Sequence, residues 1–161
     1  MRAMQKKFKT VAVGGTFDEF HKGHRVLIMK AIEVGERVLI GLSSDELAKK
    51  LSKPHPTAPY QQRLEDLKTF LYEQSFPEKI RILPLDDVYG VTLSEGCVEA
   101  LVVSKETEHI ATEINEKRNT LGLPPLHIIV VNMVSSDNHI PLSTTRIRRG
   151  EIDREGHLLK T

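Results

Sequence analysis

The residues best equipped for chemistry cluster near the start of the chain, in Gly14-Gly15-Thr16-Phe17-Asp18-Glu19-Phe20-His21-Lys22-Gly23-His24. Two imidazoles three residues apart fall on one side of a helical first turn. Each offers an N–H donor whether neutral or protonated. The glycine pair ahead of them lets the backbone turn tightly and lets a ligand approach it. A helix start presents amide N–H groups and a partial positive charge, so the combination suits an anion, above all a phosphate. Zinc is the weaker alternative, because His-x-x-His lacks the His-Glu-x-x-His spacing and no cysteine or third ligand lies nearby. The phosphate-loop pattern GxxxxGK[ST] and the dinucleotide pattern GxGxxG are both absent. The glycines alone are equally well explained by a tight turn.

The surrounding segments must hold that cluster in place. Val11 to Val13 is a short apolar run that predicts a buried strand ended by Gly14-Gly15. From Gly23 onward, Leu27, Ile28, Ala31, Ile32 and Val34 recur at helical spacing, with Gly35 at the C-cap position. Arg37 to Leu42 predicts a second strand, followed by a short helix through Leu51 capped by Ser44 or Asp45. Ser52 to Pro59 is a proline-rich loop, and Tyr60 to Glu73 a helix with Leu64, Leu67, Phe70 and Leu71 on one face. Lys79 to Leu85 predicts the third strand, Asp86 to Gly90 a loop and Thr92 to Cys97 a short helical turn. Ala100 to Ser104 is the fourth strand, Thr107 to Leu121 a polar helix and Leu126 to Val134 the fifth strand. Ser143 then caps a final helix, Thr144 to Arg149, stopped by Gly150. Strands alternating with helices predict a parallel sheet covered on both faces, with ligands at the carboxyl ends of its strands. With the first strand central, the glycine loop, Ser43-Ser44, Ser104-Lys105 and the Ser143 segment open on one edge.

At 161 residues the chain fits a single domain over residues 1–161. Charged residues make up 28% of it and nearly cancel, to a net charge of +1. No basic excess argues for a nucleic acid partner and no polybasic tail for a membrane. No run reaches transmembrane length, and the N-terminal charges are not followed by an apolar signal core. Cys97 is the only cysteine, which rules out an intrachain disulfide and fits a cytoplasmic setting.

A second stretch, Leu142-Ser143-Thr144-Thr145-Arg146-Ile147-Arg148-Arg149-Gly150, places three hydroxyls at a helix start. They can cap the helix or donate to phosphate oxygens, and the Arg146 fork can reach a phosphate or stack on a base. The plain alternative is a capped helix with a solvated basic face. Lys49, Lys50 and Lys53 border the proline-rich loop, as solvated charges or as phosphate ligands. Arg63 is either a phosphate ligand or part of a polar helix face. His55, His109, His127, His139 and His157 are scattered and read as structural or solvated.

Taken jointly, Gly15-Thr16-Phe17-Asp18 and His21-Lys22-Gly23-His24 resemble, without departure, the first signature of the nucleotidyltransferases with the HxGH motif. The Ser143 stretch resembles their second signature, with Leu142 in place of Ile. Cytidylyltransferases that resemble this loop carry Arg-Thr-Glu-Gly where this chain has Asp137-Asn138-His139-Ile140-Pro141, which counts against CTP. Nicotinamide-mononucleotide adenylyltransferases usually have Arg where Thr16 stands, and class I aminoacyl-tRNA synthetases need a much longer chain. Tyr60 to Leu67, Pro84 to Gly90 and Glu99 to Thr107 resemble phosphopantetheine adenylyltransferases of the archaeal and eukaryotic type; the resemblance spans Lys9 to Gly150. The bacterial enzymes have arginines where this chain has Ser104-Lys105-Glu106, so their contacts do not transfer directly.

The resemblance implies a Rossmann-like, doubly wound, five-stranded parallel sheet in the order 3-2-1-4-5. It implies transfer of AMP from ATP to 4′-phosphopantetheine, giving dephospho-coenzyme A and pyrophosphate. In that scheme His24 meets the α-phosphate and His21 the triphosphate, with Gly14, Gly15, Ser104 and Lys105 along the nucleotide. Thr16 and the Phe17 backbone orient the acceptor phosphate, and a loop lysine, Lys53 or failing it Lys50, contacts substrate phosphate. Ser143, Thr144, Thr145 and Arg146 grip the outer phosphates, while Asp86 and Tyr89 either line the pantetheine arm or merely pack their loop. Mg²⁺ enters mainly through the ATP phosphates, with no dedicated protein ligands. The alternatives are another nucleotidyl transfer, with CTP or a different phosphorylated acceptor, and a non-catalytic nucleotide-binding module. A homo-oligomer stays open.

Overall fold

The structure, a computed structural model, describes residues 7–51, 56–75, 77–92, 98–132, 147 and 153–157. In chain order its elements are β1 (Phe8–Gly15), α1 (Lys22–Val34), β2 (Gly35–Ser43), α2 (Asp45–Leu51), α3 (Tyr60–Glu73), β3 (Ile80–Leu85), β4 (Ala100–Ser104), α4 (Glu108–Thr120) and β5 (His127–Val131). The strands form one sheet in the order β3-β2-β1-β4-β5. Every pairing is parallel, with Gly14 beside Gly41 and Val13 beside Val102. The fold is the expected Rossmann-like doubly wound sheet. β1 is central, with β2 on one side and β4 on the other, so the order reverses beside the glycine pair.

Period-2 alternation along the strands assigns their side chains to two cores. Val11, Val13, Val38, Ile40, Leu42, Ala100 and Val102 pack under α1 and α3, against Ile28, Ile32, Leu67 and Phe70. The intervening residues Ala12, Leu101 and Val103 pack under α4, against Ala111 and Ile114. A strand buried on both faces has no polar alternation to show, which is why Val11 to Val13 reads as a plain apolar run.

The bounds of α3 and β4 match the periodicity, and the other differences have local causes. Gly35 is the C-cap of α1, its N–H reaching the Ala31 carbonyl, but its backbone is extended (φ −112°, ψ 138°) and already begins β2. Its glycine therefore serves space rather than a left-handed turn: a Cβ there would lie 2.8 Å from Val11 Cγ2. The helix expected from Thr107 opens as a 3-10 turn over Lys105–Thr107, closed by Ser104 and Thr107 hydroxyls 3.1 Å apart. Ser44 caps α2, its Oγ accepting from the Leu47 N–H at 3.1 Å. A 3-10 turn covers Gly90–Thr92, while the rest of the turn expected through Cys97 lies outside the described residues. So do residues 52–55 of the proline-rich loop, residues 133–134 of the expected fifth strand (β5 itself runs His127–Val131), and the final helix apart from Ile147.

Candidate active site

The loop from Thr16 to Phe20 joins the glycine pair to α1 and carries backbone strain. Phe17 and Glu19 both have φ of 52°, the left-handed region that non-glycine residues rarely adopt. Such conformations cost about 1–3 kcal/mol each and persist where their surroundings over-determine them. Phe17 is buried, its ring edge-on to His24 with centroids 5.3 Å apart and tilted against Phe20. Between the two strained residues, the buried Asp18 carboxylate accepts from the Ala58 N–H at 3.1 Å.

This loop delivers His21 to the N-cap of α1, where the two histidines cap each other. The His24 N–H donates to His21 Nδ1 at 3.3 Å, and the His21 N–H donates to His24 Nδ1 at 3.2 Å. The arrangement has the form of a capping box with imidazoles in place of hydroxyl and carboxylate. The rings stack, centroids 3.6 Å apart and planes 16° from parallel. An amide can only donate, so each Nδ1 keeps its lone pair and each ring carries its proton on Nε2. Both imidazoles are therefore neutral, with an Nε2–H donor on the edge distal to the capped amide.

Electrostatics agrees that both rings are neutral. His21, only 6% exposed, is held down at about 4 by burial first, then by the positive charges of Arg25 and Arg154. His24 lies well below its ordinary value for the same leading reason, with His21 and Arg25 adding to it. Gly23 makes the stack possible, because a Cβ there would lie 2.9 Å from His21 Cε1 and 3.1 Å from its Nδ1. The amide supply at the helix start is smaller than the sequence suggests. The His24 N–H is taken by His21, and the Lys22 N–H donates to the Arg154 carbonyl at 2.8 Å. What the cup offers an anion is thus chiefly imidazole Nε2–H.

Arg63 proves to be neither of the two things expected of it. It is 1% exposed and its guanidinium is spent inside the protein. Nε donates to the Ala58 carbonyl at 2.8 Å, Nη1 to the carbonyls of Thr16 (3.0 Å) and Ser43 (2.8 Å), and Nη2 to Asp45 Oδ1 (3.0 Å). It fastens the ends of β1 and β2 together, and the Thr16 hydroxyl lies 3.4 Å from the Ser43 hydroxyl. A signal for this was present: Arg63 shares the helical stripe of Leu67, Phe70 and Leu71, all buried. Arg118 does the same in α4, on the stripe of Ala111 and Ile114, with Nη1 on the Thr92 carbonyl at 2.6 Å and Nε on that of Pro124 at 2.8 Å.

On the α2 and α4 face of the sheet, against the wall formed by Gly14, Gly15 and Thr16, lies a mostly apolar cavity of about 220 Å³. Leu47 and Leu51 of α2, Ile110 and Ile114 of α4, and Leu83, Leu85 and Tyr89 enclose it. Leu85 occupies room left by three glycines: a Cβ on Gly41, Gly90 or Gly14 would lie 2.6, 2.4 or 3.2 Å from its side chain. The histidines stand on the other side of the glycine loop, beside the cavity rather than in it.

The remaining candidates divide. Tyr89 lines the cavity and reaches Glu113 Oε2 from its hydroxyl at 3.3 Å, whereas Asp86 is exposed and outside that lining. Ser104 and Lys105 stand at the carboxyl end of β4, with Lys105 exposed and 3.6 Å from Glu108. Lys50 is exposed in the last turn of α2, where a cation also suits the helix dipole. Lys53, Ser143, Thr144, Thr145 and Arg146 lie outside the described residues, as do His55 and His139. His109 and His127 are exposed, the latter against the Phe8 ring, and His157 pairs with Asp153. Among the described residues no group of three or more His, Cys, Asp or Glu side chains is gathered to hold a metal ion.

Residues 12–150 match the family model described as Cytidylyltransferase-like. The chain is 47% identical over 157 residues to a phosphopantetheine adenylyltransferase from Methanothermobacter thermautotrophicus, covering 98% of this chain and 93% of that relative. It is 42% identical to the enzyme of that name from Pyrococcus furiosus, covering 98% of each. Among solved structures, an Archaeoglobus fulgidus protein described as of unknown function superposes with a TM-score of 0.69 at 37% identity. That match covers 76% of this chain and 88% of the other. With its HxGH box, its switch point and these relatives, the chain belongs to the cytidylyltransferase-like family of nucleotidyltransferases, among the archaeal phosphopantetheine adenylyltransferases.

Proposed function

We propose that this chain transfers the adenylyl group of ATP to 4′-phosphopantetheine, forming dephospho-coenzyme A and releasing pyrophosphate. The observation that carries this reading is the reciprocal His21–His24 box, two neutral imidazoles fixed as Nε2–H donors where the strand order reverses. A phosphate oxygen of 4′-phosphopantetheine attacks the α-phosphorus in line, the new P–O bond forms, and the bond to the pyrophosphate oxygen breaks. No side chain is needed as a nucleophile, so catalysis is positioning and charge stabilisation.

His24 donates to an α-phosphate oxygen as charge moves onto it, and His21 donates to the triphosphate. Because both rings are neutral, they act as dipolar donors rather than as cations. Thr16 and the Phe17 backbone orient the acceptor phosphate, held from below by Arg63 through the Thr16 and Ser43 carbonyls. The apolar cavity beyond Gly14 and Gly15 takes the pantetheine arm, with Tyr89 on its wall. Asp86 lies outside that lining and packs its loop. Gly14, Gly15, Ser104 and Lys105 follow the nucleotide, a loop lysine (Lys53 or Lys50) meets substrate phosphate, and Ser143, Thr144, Thr145 and Arg146 hold the β- and γ-phosphates.

The described donors, imidazoles, hydroxyls and a lysine, suit phosphate oxygens rather than a cation. In this reading Mg²⁺ would enter on the nucleotide, through the ATP phosphates, and would neutralise charge on the outer ones. In this reading residues 1–161 act as one nucleotidyltransferase domain in the cytoplasm. Among the described residues no helix is long and apolar enough to cross a membrane.

The test is pyrophosphate release across a panel of nucleotides (ATP, CTP, GTP) and acceptors (4′-phosphopantetheine, glycerol 3-phosphate, nicotinamide mononucleotide). ATP with 4′-phosphopantetheine is expected to exceed every other pair by about 100-fold or more in kcat/KM. Preference for CTP or another acceptor overturns the substrate assignment. ATP binding with no transfer to any acceptor leaves a non-catalytic nucleotide-binding module.

A further inference from the structure

Residues 153–157 form a tight turn that crosses the start of α1. The turn closes on itself: Asp153 Oδ1 accepts from the N–H groups of Glu155 (2.9 Å) and His157 (2.8 Å), and the Asp153 N–H donates to the His157 carbonyl (2.9 Å). Gly156 is buried in it with φ of 86°. Among the described residues, three hydrogen-bonded or ion-paired contacts leave the turn. The Arg154 carbonyl accepts from the Lys22 N–H at 2.8 Å. The Arg154 guanidinium reaches Glu19 Oε2 through Nε (3.3 Å) and Nη2 (3.1 Å), and Glu155 pairs with Arg25. All three partners belong to the segment carrying the two imidazoles. Glu19 is one of its strained residues, Lys22 is the first helical residue between the histidines, and Arg25 follows His24 directly.

We infer that the 153–157 turn is a latch that positions the His21–His24 pair, holding the strained Glu19 and the first turn of α1 in register from outside. Arg154 and Glu155 are then positioning residues for adenylyl transfer, although neither touches the reacting atoms. The inference rests on the reading of the two imidazoles as phosphate donors. Its physical basis is the loop geometry. Left-handed backbone at Phe17 and Glu19 needs support on both sides, and Phe17 is held by the core whereas Glu19 is half-exposed and held by Arg154. A turn that merely ties down a terminus would change stability and leave turnover alone.

Proline at residue 22 separates the two. It fits the first helical position, removes the N–H given to Arg154 and sets its Cδ against that carbonyl, and suits the extended backbone of His21 (φ −114°, ψ 176°). Lys22→Pro is expected to lower kcat about five- to tenfold with KM for ATP within about twofold, while Lys22→Ala, which keeps the N–H, stays near wild type. Arg154→Ala should lower kcat about three- to fivefold, with partial recovery in Arg154→Lys, which can still pair with Glu19. A readout independent of turnover is long-range ¹H–¹⁵N NMR of the histidine rings. Both are Nε2–H tautomers in the wild type and become mixed in Lys22→Pro.

Equal kcat and equal tautomer spectra in Lys22→Pro, Lys22→Ala and wild type overturn the latch. So does a rise in KM for ATP at constant kcat in Arg154→Ala, which would make that residue a substrate contact. A wild-type protein inactive with every substrate pair counts against the proposed function instead, and the NMR spectra then decide the latch alone.

Discussion

Replacing Gly23 by alanine separates positioning from folding more sharply than removing either histidine. The added Cβ would lie 2.9 Å from His21 Cε1. Restoring an ordinary carbon–carbon contact of about 3.5 Å requires the ring to retreat by roughly 0.6 Å. The His24 N–H to His21 Nδ1 bond, already 3.3 Å, then stretches past useful length, and the ring stack at 3.6 Å opens. Loss of the cap costs about 0.5–2 kcal/mol, while alanine over glycine within a helix returns up to about 1 kcal/mol. The net stability change is therefore about 1 kcal/mol or less. A loss of that size leaves the protein folded, yet turnover should still fall. If a 1 Å misplacement costs about 100-fold, 0.6 Å costs on the order of 10- to 30-fold in kcat. The assay is steady-state pyrophosphate release with ATP and 4′-phosphopantetheine, with thermal unfolding measured on the same preparation. A Gly23→Ala protein whose kcat stays within twofold of wild type would refute the claim that the glycine exists to seat the imidazole.

Acid stability offers a second test through His21. The unfolded chain takes up this proton near 6.5, whereas the folded protein refuses it until about 4. Between those values the unfolded state binds more protons, so the contribution is intact above about 6.5 and is lost as pH falls through the window. Wild type should lose about 2–3 kcal/mol from this group between pH 7 and pH 4.5 in urea titrations, and His21→Ala should lack that increment; parallel pH profiles would contradict it. Arg63→Ala removes the donors that satisfy the carbonyls of Thr16, Ser43 and Ala58 and should cost about 3 kcal/mol or more. A loss under about 1 kcal/mol in urea denaturation would show that the clamp is not the support described.

Much of the architecture could be read from residue patterns, because parallel strands buried on both faces and helices with one apolar stripe leave strong periodic signals. The bounds of α3 and β4 and the opening of Gly14-Gly15 at the carboxyl edge follow from such patterns, while the strand order came with the family resemblance. What stayed hidden depends on space and long-range contact. Gly35 is the C-cap its position predicts, but its extended backbone and the room its missing Cβ leaves for Val11 on the neighbouring strand could not be read from the pattern. Arg63 looked like a charge for solvent or ligand, and only its place on the buried stripe of α3 hinted at an internal clamp. The left-handed backbone of Phe17 and Glu19 has no glycine or asparagine to announce it. The tautomer of the histidines followed only when both Nδ1 atoms were seen accepting from backbone amides.

The most direct test of the account is the turnover of His24→Ala. Removing one preorganised donor at the α-phosphate should lower kcat about 100- to 1,000-fold while far-UV circular dichroism stays that of wild type. A folded His24→Ala protein that still converts ATP and 4′-phosphopantetheine at close to the wild-type rate would contradict it.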